Sequence, residues 1–176
     1  MKKIVLVVLM TLQLSAYDDY IGLGGGYSTF NVNTPSGDID NNGASATIDF
    51  GHKYGKYGRF HASATYVSHE DNITKANSYS VGYDFLVPLF DDTFELYAGP
   101  VIGYTSYEER DFSLSGFHYG AEAGVLFSLS DTIELEAGYN FLNQEKSTAT
   151  HIAKNTQRAY FQVNFFFDKT KYLKYE

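Results

Sequence analysis

The sequence predicts an all-β protein, and more specifically a transmembrane eight-stranded antiparallel up-and-down β-barrel. Eight stretches alternate apolar and polar residues with a period of two, most of them over roughly nine to thirteen residues. The connections between these stretches alternate between short and long. Aromatic residues, all of them Tyr or Phe, make up 17% of the 176 residues and collect near the ends of the stretches. No segment carries a helical period.

The eight stretches are residues 20–30, 44–54, 59–67, 78–90, 94–104, 117–129, 133–141 and 158–167. The first, YIGLGGGYSTF, places Ile21, Leu23 and Tyr27 on one face and three of its four glycines on the other. The second and third, ASATIDFGHKY and RFHASATYV, set Ala, Ile, Phe and Tyr against Ser, Thr, Asp, Arg and His. The fourth, SYSVGYDFLVPLF, has the clearest alternation and predicts a strand with one wholly apolar face.

The second half of the chain repeats this pattern. FELYAGPVIGY alternates large apolar residues with Glu, Tyr and Gly, and FHYGAEAGVLFSL alternates them with His, Gly, Glu and Ser. IELEAGYNF places two glutamates on one face, and RAYFQVNFFF places Arg, Tyr, Gln and Asn opposite five apolar side chains. Each of these stretches therefore predicts a strand between an apolar and a polar environment.

The glycine run of the first stretch does not predict a nucleotide site. A G-x-G-x-x-G motif that begins at Gly22 has Tyr27 at its last position, and one that begins at Gly24 has Thr29 there. A phosphate loop also needs a following helix, and a polar segment follows here instead. The glycines predict a curved strand that side chains from the far wall approach closely, and that pairs with residues 158–167 to close the barrel.

The alternating connection lengths predict the topology. Residues 54–58, 90–93 and 130–132 are tight turns, and residues 32–42, 69–77, 107–115 and 143–155 are longer polar segments. In an up-and-down barrel, short and long connections then lie at opposite ends. An even number of strands leaves both termini at the end with the short turns.

The N-terminus has the features of a secretory signal. Lys2 and Lys3 precede an apolar stretch that is too short to span a membrane, and Ser15 and Ala16 end it with small residues. We therefore predict a signal peptide at residues 1–16, the barrel at 17–167 and a short periplasmic tail at 168–176. The absence of Cys excludes a lipoprotein anchor, disulfides and thiolate metal sites.

Strand length and face composition favour lipid, rather than protein, on the apolar face. The strands match the 9–11 residues that cross a bilayer when tilted, and the opposite face suits a polar lumen better than a soluble surface. Aromatic residues near strand ends predict the girdle of a membrane barrel. The girdle residues are Tyr54, Phe60, Tyr66, Tyr79, Tyr104, Tyr119 and Phe167. A soluble periplasmic barrel is the structural alternative.

The stretches YIGLGGGY, ELYAGPVIGY, FHYGAEAGVLFSLSDTIELEAGYNF and YFQVNFFF resemble the small eight-stranded outer-membrane barrels of Gram-negative bacteria. This is the group of the OmpA transmembrane domain and the OmpX-like proteins. The resemblance covers residues 17–167 and implies insertion into the outer membrane by the barrel-assembly machinery, in contact with lipid and lipopolysaccharide. Such barrels usually end on an aromatic residue, whereas here DKTKYLKYE follows Phe167.

The polar face predicts a charged network inside the barrel. It consists of Asp49, Lys53, Arg59, Asp84, Glu95, Glu122, Glu134, Glu136 and Arg158. Because unpaired buried charge is costly, we expect ion pairs and hydrogen bonds that hold the barrel together. A path for protons or small cations is the alternative. Six acids against three bases suggest that a carboxylate is protonated or that His61 or His118 is charged.

No motif for catalysis or for a cofactor is present. The five histidines lack metal-ligand spacing, although His69 and His151 lie in long polar segments with nearby acids, Glu70, Glu108 and Glu109. Ser113 and Ser115 lie close in sequence to His118 and Asp111, but no G-x-S-x-G occurs. We therefore predict no catalytic residues, no metal and no cofactor.

The long polar segments are the remaining functional surface. In the segment 108–117, Phe112 and Leu114 lie between charged residues and are candidates for contact with a partner. Without Lys2 and Lys3 the chain has 11 basic and 21 acidic residues, which argues against a nucleic-acid partner. The prediction is a monomer with a structural or adhesin-like role at the cell surface. A narrow porin-like channel and a lipid- or peptide-modifying enzyme are the alternatives.

Overall fold

The computed structural model describes residues 18–34, 37–69, 75–90, 93–109, 112–147 and 152–167. The predicted signal peptide, residues 1–16, and the predicted tail, residues 168–176, lie outside these ranges. For some residues near the strand ends, among them Phe112 and Leu114, only the backbone is described. The described residues contain no helix that is long and apolar enough to cross a membrane.

Eight strands make up the fold. They are β1 (Asp19–Thr34), β2 (Gly37–Tyr54), β3 (Gly58–His69), β4 (Lys75–Leu89), β5 (Phe94–Glu109), β6 (Phe112–Ser128), β7 (Ile133–Ser147) and β8 (Ile152–Phe167). Each strand pairs antiparallel with its neighbours in sequence, and β1 pairs with β8, so the sheet closes into a barrel. The predicted all-β, eight-stranded antiparallel architecture is confirmed.

The glycine-rich strand β1 forms the seam of the barrel. Its residue Tyr27 lies opposite Ala44 on β2 and Ala159 on β8. Gly22, Gly24 and Gly26 face the lumen, as the alternation predicts, and side chains of β8 occupy the space in front of the first two. Gln162 lies against both Gly22 and Gly24, so a methyl group at either position would meet it. The glycines thus accommodate the packing of the lumen.

The alternation of the sequence matches the two faces of the sheet. Along β4, Tyr79, Val81, Tyr83, Phe85 and Val87 are exposed, and the residues between them point inward. The same alternation holds along the other seven strands. The outer surface is therefore apolar and the interior polar, which is the reverse of a soluble barrel.

The strands are longer than predicted, with 12 to 18 residues each. The segments 32–42, 107–115 and 143–155, which were expected to be long polar connections, lie largely in paired strands, whereas residues 70–74 of the segment 69–77 lie outside the described residues. The prediction of long loops is wrong in this respect, because polar residues in a solvated hairpin stem have the same composition as a loop. Phe112 and Leu114 accordingly lie in β6 and not in a loop.

We call the end of the barrel with the turns 55–57, 90–93 and 129–132 the lower end, and the other end the upper end. The upper ends are unequal in height. β1 and β2 stay paired up to Thr34 and Gly37, whereas β2 pairs with β3 only up to Gly43 opposite His69. The β1–β2 hairpin therefore extends beyond its neighbour β3.

Candidate functional site

The lumen of the barrel holds the polar groups that are candidates for function. At its lower end, Lys53 on β2 lies between two glutamates. The Lys53 Nζ atom donates to Glu95 Oε2 on β5 at 2.8 Å and to Glu134 Oε2 on β7 at 2.6 Å. One lysine thus joins three strands across the lumen, and its ammonium donates to two buried carboxylates.

Arg59 on β3 forms the centre of the network. Its guanidinium donates to Asp84 Oδ2 on β4 at 2.7 and 2.8 Å, and to both oxygens of Glu136 on β7 at 2.7 and 3.0 Å. Glu136 also accepts hydrogen bonds from Asn164 at 2.9 Å and from Tyr160 at 3.2 Å. A planar guanidinium with five donors can bind both carboxylates in this way, whereas the ammonium of a lysine has too few donors for these four hydrogen bonds.

His61 on β3 lies among three carboxylates. The His61 Nε2 atom is 2.6 Å from Glu122 Oε1 on β6 and 3.7 Å from Asp84 Oδ2, and Nδ1 is 3.5 Å from Asp49 Oδ1 on β2. All four side chains are buried. Asp49 accepts a hydrogen bond from the Tyr20 hydroxyl at 2.9 Å through its other oxygen. The histidine therefore lies in a strongly acidic environment.

Arg158 on β8 lies above this cluster and has no carboxylate partner among the residues that the structure describes. Its Nη1 atom donates to the hydroxyls of Thr47 at 2.7 Å and Thr65 at 2.5 Å, and its guanidinium stacks over the Tyr160 ring at 4.7 Å. Above Arg158 is a cavity of about 40 Å³ lined mainly by hydroxyl and apolar side chains. Below it, among Asp49, His61 and Glu122, is a cavity of about 10 Å³.

His118 on β6 is the second buried histidine of the lumen. Its Nε2 atom lies 3.0 Å from Ser80 Oγ on β4, and its Nδ1 atom lies 2.9 Å from Thr105 Oγ1 on β5. Ser113 and Ser115, which lie close to His118 in sequence, are therefore not the partners found for its ring nitrogens. The pairing of β4, β5 and β6 brings Ser80 and Thr105 to His118, although 38 and 13 residues separate them in sequence.

Apolar side chains close the upper end of the lumen. Phe30 and Tyr107 stack with ring centroids 4.4 Å apart, and Val67 and Ala76 pack beside them. Asn41 donates a hydrogen bond to the Tyr107 hydroxyl. Because an eight-stranded barrel has an interior just wide enough for side chains, this cluster and the ion pairs below it fill the lumen.

The structure places all nine predicted network residues in the lumen, each at most 9% exposed. Among them are three cations and six carboxylates, so acids outnumber Lys and Arg by three. The seven predicted girdle residues all lie on the outer surface, 38 to 61% exposed. The side chains of Phe112, Leu114, His69 and Glu109, and the whole of Glu70, Asp111 and His151, lie outside the described part of the chain.

Sequence reasoning missed several contributors to the lumen. Gln162 and Asn164 donate hydrogen bonds to Glu136. The hydroxyls of Tyr97 and Tyr160 lie 2.7 Å apart across the barrel. Leu86 and Leu126 are apolar residues on the inward face and pack with Tyr97. Their inward position follows from strand parity, but their partners depend on the register of β4, β5 and β6.

Comparison with known families and structures supports the architecture. The sequence model of the family described as "Outer membrane protein beta-barrel domain" matches residues 4–166. No curated protein is similar enough in sequence to match the chain. Three solved structures are similar in fold, with identities of 10 to 22%, and at this level the likeness concerns the fold alone.

Neisserial surface protein A superposes with a TM-score of 0.61 at 16% identity, covering 85% of this chain and 97% of that one. Outer membrane protein H of P. aeruginosa gives 0.61 at 22% identity, covering 85% and 99%. The outer membrane enzyme PagL gives 0.52 at 10% identity, covering 83% and 98%. Because an enzyme shares the fold, the fold alone does not decide whether this barrel is catalytic. The family match over almost the whole chain shows that the protein belongs to the outer membrane protein β-barrel domain family and is a protein of the Gram-negative outer membrane.

Proposed function

We propose that the barrel is a non-conducting membrane anchor that presents its upper hairpins to partners at the cell surface. The observation that carries this proposal is the filled lumen, in which Arg59 and Lys53 join carboxylates from facing strands. A lumen filled by a salt-bridged network stabilises a barrel and leaves little room for solute. Function then rests on the surface outside the membrane.

The β1–β2 hairpin supports this proposal. From Tyr27, on the outer surface of β1, the strand continues for seven residues to Thr34, which is about 23 Å of extended chain. Residues 37–42 of β2 do not pair with β3. The hairpin stem is instead held by the pairing of β2 with β1 and of β1 with β8. A rigid paired stem positions the hairpin tip well above the membrane surface.

The orientation follows from the general rule for such barrels, whose short turns face the periplasm. The lower end, with turns 55–57, 90–93 and 129–132, then faces the periplasm, and the upper hairpins face outward. On the outer wall, exposed aromatics such as Tyr79 and Phe165 would lie at the two lipid interfaces. We propose that the barrel is a monomer in contact with lipid and lipopolysaccharide, inserted by the barrel-assembly machinery.

Shortening the β1–β2 hairpin tests the adhesin-like role. A variant without residues 33–40, with the stem closed by a two-residue turn, keeps the membrane-embedded part intact. Expressed in a non-adherent Gram-negative strain, the full chain should increase attachment to cultured epithelial cells, and the shortened variant should not. Asp131→Asn, at the lower end, is the matched control. Equal attachment by the shortened variant and the full chain, at equal surface levels, would reject the role of this hairpin.

A narrow channel is the second candidate function. Two cavities, of about 40 and 10 Å³, lie above and below Arg158, so a chain of small voids approaches the ionic cluster from the upper end. The ion pairs of Arg59 and Lys53 would have to open before an ion could pass. Electrical recording in planar bilayers separates this candidate from a non-conducting anchor.

We also propose that the barrel is not an enzyme. The Ser80–His118 pair has the spacing of a nucleophile and a base, but His118 is oriented by a threonine hydroxyl rather than by a carboxylate, and it is 2% exposed. The folded protein should not hydrolyse p-nitrophenyl esters or phospholipids above background. Hydrolysis that disappears in both Ser80→Ala and His118→Gln would overturn this proposal.

A further inference from the structure

Three buried side chains of metal-ligand type converge in the lumen. His61 on β3, Asp84 on β4 and Glu122 on β6 each offer one ligand atom, and these atoms all lie within 4.8 Å of one another. We propose that they form a binding site for a divalent transition-metal cation, with Zn²⁺ as the cation of best fit. One imidazole nitrogen and two carboxylate oxygens are a donor set that zinc accepts. This proposal does not depend on the surface role of the hairpins.

The distances are close to those of a zinc site. Zinc lies about 2.0–2.2 Å from nitrogen and oxygen ligands, so tetrahedral ligand atoms are about 3.3–3.6 Å apart. The His61 Nε2 atom is 3.7 Å from Asp84 Oδ2 and 2.6 Å from Glu122 Oε1. A side-chain shift of Glu122 by about 1 Å would therefore bring its oxygen to the ligand–ligand spacing from His61 Nε2 that a tetrahedral zinc site needs.

Two glycines on the lumen face leave space for the ligands. A methyl group at Gly82 would overlap His61 Nε2, and one at Gly99 would approach Asp84 Oδ1 to 2.6 Å. Gly82 on β4 lies directly opposite His61 in the sheet, and Gly99 on β5 lies opposite Glu122. The backbone thus provides a space at the point where the three ligands meet.

An unpartnered polar atom is a second indication that a ligand binds here. Asp84 Oδ1 has no hydrogen-bond partner among the described residues, and the Asp84 side chain is fully buried. Buried polar atoms in folded proteins are nearly always satisfied. An adjoining cavity of about 10 Å³, about the size needed for one water molecule, is lined by two of the three proposed ligands, His61 and Glu122.

Charge in the lumen also favours a cation. The six carboxylates exceed the Lys and Arg side chains by three, and buried carboxylates must be neutralised or paired. A proton on His61 would compensate one of these charges. A divalent cation would compensate two.

The surroundings resemble the outer shell of known metal sites. Metal-bound carboxylates are usually hydrogen-bonded by a second group, and metal-bound histidines usually have a carboxylate at the other ring nitrogen. Arg59 donates to Asp84 Oδ2, and Asp49 Oδ1 lies 3.5 Å from His61 Nδ1. Asp49 is therefore a positioning residue for the imidazole. A bound cation would tie β3, β4 and β6 together in the middle of the lumen.

Metal analysis of the wild-type protein tests the proposal first. The protein is refolded into detergent micelles with and without ZnCl₂, desalted and analysed by inductively coupled plasma mass spectrometry. We expect a single zinc ion per chain, and crystals measured at the zinc edge should show an anomalous peak between His61 Nε2 and the carboxylates of Asp84 and Glu122. Substoichiometric zinc, or a peak elsewhere, would overturn the proposal without the need for any variant.

Variants then locate the site. His61→Gln should lose bound zinc, and Asp49→Asn should weaken zinc affinity by about 10–100-fold, as is typical of an outer-shell carboxylate. His118→Gln, which removes the other buried lumen histidine, and the double variant His69→Gln/His151→Gln are controls that should retain zinc. Retention by His61→Gln, or loss only in the double variant, would contradict the assignment. Fast migration of unheated protein on gels establishes that each variant is folded.

Discussion

Arg59 on β3 donates two hydrogen bonds, of 2.7 and 3.0 Å, across the lumen to the two carboxylate oxygens of Glu136 on β7. Three strands lie between β3 and β7 on either side of the barrel, so this contact crosses the lumen between opposite walls of the closed sheet. The same guanidinium holds Asp84 on the neighbouring strand β4. Arg59 therefore links the closure of the barrel to the neutralisation of its interior.

Removing Arg59 should destabilise the barrel more than removing either carboxylate. Arg59→Gln leaves Asp84 and Glu136 buried without their cation, and we expect it to lower the free energy of unfolding by about 3–5 kcal/mol. Glu136→Gln keeps an acceptor for Arg59, which retains Asp84, so its cost should be smaller. Urea unfolding in phospholipid vesicles, followed by circular dichroism, measures both.

Lys75→Gln is the control for this comparison, because Lys75 is exposed at the upper end of β4. It should change the free energy of unfolding by less than about 0.5 kcal/mol. If Arg59→Gln had no larger effect than Lys75→Gln, the network would not hold the barrel together.

An arginine on the outer wall should be costly. Val81 on β4 and Ile102 on β5 lie opposite each other, are 39 and 59% exposed, and lie between the aromatic residues at the two ends of the wall. Val81→Arg and Ile102→Arg should each lower the free energy of unfolding in vesicles by about 2–4 kcal/mol, because the charge enters the bilayer midplane. Thr93→Arg, in an exposed lower turn, should cost at most about 1 kcal/mol. Equal effects at all three positions would show that the apolar wall does not face lipid.

Small residues on the lumen face should be sensitive to a single methyl group. On Gly120 a methyl group would overlap the backbone oxygen of Phe141 on β7, so β6 and β7 would have to separate locally. We expect Gly120→Ala to lower the free energy of unfolding by about 1–3 kcal/mol, a typical cost of overpacking. At Gly25 on the outer face the nearest atom would be 3.5 Å away, so Gly25→Ala should be nearly neutral. A neutral Gly120→Ala would contradict the close packing.

The architecture could be predicted from the sequence because strand parity alone decides which side chain points inward. Asp84 and Glu136 occur in strictly alternating stretches, so their face follows directly from position. Their partners could not be predicted, since Arg59 lies 25 residues from one and 77 from the other in sequence. Residues 32–34 and 37–42 were expected to form a long polar connection because they are rich in Asn, Asp and Gly. They form a paired hairpin stem instead.

The lumen histidines illustrate the same limit. His61, Asp84 and Glu122 have no ligand spacing that a motif search would find, because they lie on β3, β4 and β6. The register of the neighbouring strands β3 to β6 brings them together. His118 likewise meets Ser80 and Thr105 across strands rather than its neighbours in sequence.

We propose that the lumen is filled by its own ion pairs and does not conduct ions. Single-channel recording of the refolded wild-type protein in planar bilayers, in symmetric KCl, distinguishes a filled lumen from an open one. We expect a baseline without sustained, discrete openings, with insertion verified by fluorescence of labelled protein. Regular openings of uniform conductance in the wild-type protein would contradict it, and would favour the narrow channel over the surface anchor.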